Sequence, residues 1–115
     1  MRKERLTKTN EFAAVYQHGD SQVNRFLVMR SIPNGLDITR FGFIASKRVG
    51  NAVARNRVKR LLRESLRHTP VEPGRDIVLI ARSPACAADY HSLRTAAHQL
   101  LRRARLLGES RKEEW

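Results

Sequence analysis

Residues 76 to 82 read DIVLIAR, an unbroken apolar run with the pattern of an interior β-strand. An interior strand commits the chain to a sheet, and the flanking segments say what the sheet is made of. ITRFGFIAS, residues 38 to 46, predicts a strand upstream, and VNRFLVMRSI, residues 23 to 32, predicts an earlier one, rich in β-formers and without helical period. PNGLD lies between those two as a loop signal, so a hairpin is their economical pairing. The strand, helix, strand arrangement over residues 38 to 82 is long enough for a parallel crossover.

Three helices are expected to cover the sheet. The first spans residues 10 to 18, where Phe12, Val15 and Tyr16 fall at i, i+3, i+4, with Asn10 or Thr9 as cap and Gly19 closing the end. The second starts at an Asn51 cap and carries the stripe Ala54, Val58, Leu61, Leu62, Leu66 to about His68, where TPVEPG makes continuation improbable. The third follows an Asp89 cap, repeats Leu93, Ala96, Ala97, Leu100, Leu101 and Ala104, and stops at Gly108. The order is α-β-β-α-β-α in one domain spanning residues 1–115, with residues 109–115, lacking a core pattern, expected to be a frayed tail.

Charge restricts the function. The chain has 23 Lys+Arg against 11 Asp+Glu, a formal net charge of +12, and a pI near 11.4. Such a surface repels itself unless a polyanion neutralises it, and nucleic acid is the first candidate. No apolar run approaches the roughly 20 residues that cross a bilayer, and MRKERLTKTNEF has no apolar stretch behind its cations. The expectation is a cytoplasmic protein that does not engage a membrane. The single cysteine, Cys86, has no partner for a disulfide or a thiolate metal site and reads as a small buried hydrophobe.

The excess concentrates in KRVGNAVARNRVKRLLRE, residues 47 to 64, which holds seven cations and one acid. At 100° per residue the apolar positions share one arc, while Asn56, Arg57, Lys59, Arg60, Arg63, Glu64 and Arg67 take the rest and Arg55 stands at the border. With Glu64 the only acid, few i, i+4 pairs relieve the repulsion, so an external anion is the economical explanation. Arg55 and Arg57 diverge around the axis, which suits a concave RNA junction or two RNA segments. Lys47 and Arg48 sit in the turn before the helix, where Gly50 permits close backbone approach and the corner can hold a phosphate.

These residues resemble the signature of the bacterial ribonuclease P protein family, with Arg55, Asn56 and Arg57 as its R-N-R motif. The resemblance extends to LTKTNEFAAVYQHG as the family's first helix, IASKRVGNAV as its second strand and turn, and DIVLIARSPA as its third strand. It implies an α+β, or α/β, sandwich like the second domain of ribosomal protein S5, with a left-handed β-α-β crossover where general experience favours the right-handed one. It also implies a non-catalytic protein subunit that assists a ribonuclease P RNA subunit, with magnesium held mainly by the RNA, in removing the 5′ leader of precursor tRNA. Carried over residue by residue, Lys47, Arg48, Asn51, Arg55, Asn56, Arg57, Lys59, Arg60 and Arg63 would contact the RNA subunit. Phe12, Tyr16, Val28 and Arg30 would line the cleft for the leader, Arg30 standing where relatives often carry a tyrosine.

The residues themselves fit a non-catalytic part. No paired carboxylates, metal-ligand cluster or nucleophile beside a histidine is evident, and His18, His68, His91 and His98 read as surface or helix-packing residues. No obligate protein partner is evident either. A ribosome-associated RNA binder of the same fold is the alternative. A DNA-binding regulator ranks below both, because only Asn56 on the cationic face suits a base edge.

Overall fold

The computed structural model describes residues 3–108, so the expectation for the 109–115 tail lies outside the described residues. Its elements run β1 (Lys3–Arg5), α1 (Thr9–His18), β2 (Asp20–Val23), β3 (Leu27–Pro33), β4 (Thr39–Ala45), α2 (Ala52–Leu66), β5 (Arg75–Ala81), a short 3-10 turn (Ser83–Ala87) and α3 (Tyr90–Arg103). The six elements expected from pattern are all present. Two short strands are additional: polar β1 and β2, whose sequences KER and DSQV carry no strand pattern, are recruited to the sheet edges by backbone pairing, with Lys3 Nζ donating to Thr69 O and Arg103 to Val23 O, both at 2.9 Å.

The sheet order is β1-β4-β5-β3-β2. Strand β5 sits in the middle, parallel to β4 and antiparallel to β3, with Ile77 opposite both Phe41 and Ser31. The parallel crossover through α2 is therefore present, but the expected β3–β4 hairpin is not. The apolar run of β5 is buried on both faces and takes both neighbours for itself. The PNGLD loop arches over the start of β5 instead of turning tightly. Asn34 N donates to Gly74 O at 2.9 Å, Gly74 N to Ile38 O at 3.1 Å, and the Asn34 amide to the Asp76 carboxylate at 2.9 Å.

The sheet separates two apolar layers. Helices α2 and α3 cover one face, burying Leu27, Met29, Phe41, Ile77 and Leu79 beneath Val58, Leu62, Leu93 and Leu100. Helix α1 covers the other, where Val15 packs with Leu6 and Val78 and with the partly buried Phe12, Ile32, Ile44 and Ile80.

Helix ends follow the expected caps in two cases. The Asn51 side chain accepts from Ala54 N at 2.9 Å and Asp89 from Ser92 N at 2.8 Å. Neither Thr9 nor Asn10 caps α1; Lys8 holds that position, and the Glu11 carboxylate reaches back to the N–H groups of Lys8 (3.1 Å) and Thr7 (3.3 Å). Gly19 does close α1, and a Cβ there would lie 2.5 Å from Val15 O. Helix α3 ends before Gly108, because Arg105 adopts φ 60° and turns the chain. Gly108 serves a different contact: its N–H donates to Pro70 O at 2.8 Å, and a Cβ would collide with Pro70. Cys86 is exposed, correcting the buried expectation; in its turn Ala85 takes the inward position.

Candidate nucleic-acid interface

Helix α2 is anchored by its underside. Val58, Leu62, Ser65 and Leu66 are buried, which fixes the rotation of the helix and therefore the direction of every cation on it. Asn56, Arg60 and Arg67 are exposed, while Arg55, Lys59 and Arg63 lie half-buried along one flank and Arg57 along the other. The lone acid, Glu64, pairs with Arg67 at 2.6 Å and relieves none of the other cations.

Arg55 and Arg57, two residues and roughly 200° apart, do diverge. The Arg57 guanidinium reaches the turn before α3 and donates to Ala88 O at 3.1 Å. The Arg55 Nε is buried with no hydrogen-bond partner. Arg57 is thus partly committed to holding the 3-10 turn against α2, a structural part that its charge did not reveal.

Lys47 and Arg48 are exposed on the turn leading into α2, and Val49 between them and the helix is 2% exposed and pins that turn to the core. Gly50, at φ 145°, lies where side-chain-bearing residues are rare, and a Cβ would stand 3.0 Å from Ala54 Cβ. Asn51 caps the helix with its carbonyl oxygen, so only its amide group is left to face a ligand.

The four residues expected beside α1 lie on the opposite face of the sheet, with Arg30 and Tyr16 in direct contact, Phe12 against β4 and Val28 on β3. Phe12 is half-buried, its ring filling the space above Gly42, where any Cβ would strike it. Tyr16 is 44% exposed; partial burial pushes its phenol up, and the nearby Arg30 charge offsets part of that. Val28 and Arg30 are half-buried and alternate with Leu27, Met29 and Ser31, which face the other layer. Arg30 Nη2 donates to Tyr16 O at 2.7 Å and to Gly19 O at 3.2 Å, clamping the carboxyl end of α1 to β3.

One group was missed altogether. Arg40 grips Asp76 with two bonds of 2.8 and 2.7 Å and Glu11 with a third of 2.7 Å, joining β4, β5 and the first turn of α1. Bonds from the Lys8 backbone, reinforced by Thr7 and the Arg40 charge against a smaller cost of burial, hold the Glu11 carboxyl below the usual range. The partners are 29 and 36 residues from Arg40 in sequence, so no local spacing signals the bridge.

Fold and surface define a class: a small mixed α+β protein with one cationic helix held rigid on a five-stranded sheet. Among the described residues, no group of three or more His, Cys, Asp or Glu is placed to hold a metal ion, and no helix is long and apolar enough to cross a membrane. The ribonuclease P family model matches residues 1–105, and the chain belongs to that family, as a tRNA-processing subunit of a ribonucleoprotein nuclease whose partner is an RNA subunit. It is 44% identical over 107 residues to the ribonuclease P protein component of Caldanaerobacter subterraneus subsp. tengcongensis, covering 91% of this chain and 92% of the relative. It is 42% identical over 106 residues to that of Dehalococcoides mccartyi, covering 92% and 88%. The RNase P protein of Staphylococcus aureus superposes with a TM-score of 0.81 at 31% identity, covering 93% of this chain and 100% of that one. The Thermotoga maritima RNase P protein gives 0.77 at 31%, covering 87% and 96%.

Proposed function

We propose that this chain docks on a catalytic RNA subunit through α2 and holds the 5′ leader of precursor tRNA beside α1, assisting a cleavage that the RNA performs in the cytoplasm. The observation that carries the reading is the directed face of α2, with cations on the outside, a leucine and valine underside, and the single acid already paired. About six phosphate contacts there give a log-log salt slope near −4 to −5 by counterion release. On the other layer, Tyr16 offers a ring on which a base of any identity stacks, worth roughly 1–3 kcal/mol, with Phe12 and Val28 as the apolar floor and Arg30 holding the helix end.

Magnesium belongs to the RNA in this reading. The donor set fits that division, since Asp76 and Glu11 are both engaged by Arg40 and no carboxylate cluster is left among the described residues to bind it.

The test is reconstitution. The purified protein is mixed with the host's RNA subunit and labelled precursor tRNA at low magnesium, and cleavage at the mature 5′ end is expected to rise. Absence of stimulation at every salt concentration overturns the assignment and leaves a structured-RNA binder of the same fold.

A further inference from the structure

Helix α3 repeats, more quietly, the charge asymmetry of α2. Tyr90–Arg103 contains three arginines, two histidines and no carboxylate. Arg103 is accounted for, since it donates to Val23 O at 2.9 Å. Arg94 and Arg102 are exposed and, like Arg105 in the following turn, have no side-chain hydrogen bond or ion pair among the described residues. Arg94, His98 and Arg102 are four residues apart in succession, so they form one row rising about 6 Å per step.

That row borders a groove of about 790 Å³ between α3 and the carboxyl half of α2. Tyr90 continues the row by one more step at the amino end, half-buried and part of the groove wall. On the α2 side the groove meets His68 and Thr69, whose Oγ1 lies 2.9 Å from His98 Nε2. Two acids also line it. Glu64 is already paired with Arg67, which leaves Glu72 against three arginines.

From this placement we infer that the α2–α3 groove is a further RNA-binding site, taking a single strand of the same RNA subunit that docks on α2, with its phosphates on Arg94, Arg102 and Arg105. The inference rests on the proposed docking through α2 and extends it around the edge of that helix. A single strand fits better than a duplex, because the row of cations follows one line and Tyr90 at its end offers a ring to an unpaired base. The RNA subunit is the source because the groove lies on the α2 layer, across the sheet from Tyr16 and the leader cleft.

The test uses the full chain carrying Arg94→Ala and Arg102→Ala together, titrated against the RNA subunit at several salt concentrations. Removing two phosphate contacts is expected to lower the salt slope by about 2 and weaken binding at moderate salt. Both positions are exposed, so the thermal midpoint should not move, and the Arg94→Lys, Arg102→Lys pair should restore the slope because point charges remain. An unchanged slope, alongside a reduced one for Lys59→Ala with Arg60→Ala, overturns the groove site while leaving docking through α2 intact. If wild type shows no salt-dependent binding at all, both readings fall. A loss confined to precursor tRNA binding by the assembled holoenzyme places tRNA in the groove and overturns the stated source.

Discussion

Single residues carry two kinds of work here, and Phe12 shows how they overlap. Its ring occupies the space that Gly42 leaves empty, so it is a wedge between α1 and β4 before it is a surface for any ligand. Phe12→Ala should therefore cost stability, at the low end of the roughly 3–5 kcal/mol seen for buried phenylalanines because the ring is only half-buried. If the ring also touches the leader, the folded variant at low temperature loses affinity for leader-bearing precursor more than for mature tRNA. Equal losses for the two RNAs make Phe12 structural only. Arg30 presents the same duality. Its bonds to Tyr16 O and Gly19 O hold the cleft's edge in place, so a loss of leader binding on its removal would act through Tyr16.

At the scale of elements, α1 is the least self-sufficient. It has ten residues, buries only Val15 fully, and owes its attachment to Arg40 and Arg30 at its two ends. The bridge at its amino end makes that attachment sensitive to acid. The folded Glu11 carboxyl titrates below its unfolded value, so its contribution is complete above the unfolded range near ~4.3 and is lost as pH falls through the lower folded value. Glu11→Gln should therefore narrow the acid limb of a stability profile: wild type exceeds the variant at neutral pH, and the gap closes as the pH is lowered. A gap independent of pH, measured by chemical denaturation across pH 3 to 7, would sink this account. The same elements show what the sequence revealed. Helices α2 and α3, strand β5 and the caps at Asn51 and Asp89 were legible, because periodicity, an apolar run and a capping residue are local signals. The β3–β4 hairpin failed because pairing is decided by which strand needs two neighbours, a property of the whole sheet. The cationic face of α2, the candidate site, was legible as a face because one helix sets the direction of its side chains. The Arg40 bridge was not, because three separate elements supply it.

For the whole molecule, the sheet keeps the two surfaces proposed to meet RNA apart. Helix α2 packs on Phe41, Ile77 and Leu79, and α1 packs on Val78 from the reverse side, so neighbouring positions of β5 serve opposite layers. Arg60 on α2 and Tyr16 on α1 have no common contact across that separation. On the proposed function, a protein of 115 residues would hold two RNAs at once without either competing for the other's ground. The consequence is thermodynamic independence. In the assembled holoenzyme, Arg60→Ala and Tyr16→Ala should weaken precursor binding additively, to within ~0.3–0.5 kcal/mol in a double-mutant cycle. The Arg60 change should act through assembly with the RNA subunit and the Tyr16 change only when a leader is present. A coupling energy well above that range would mean that the sheet transmits docking on one side to the other, since direct contact is excluded by the layer between them.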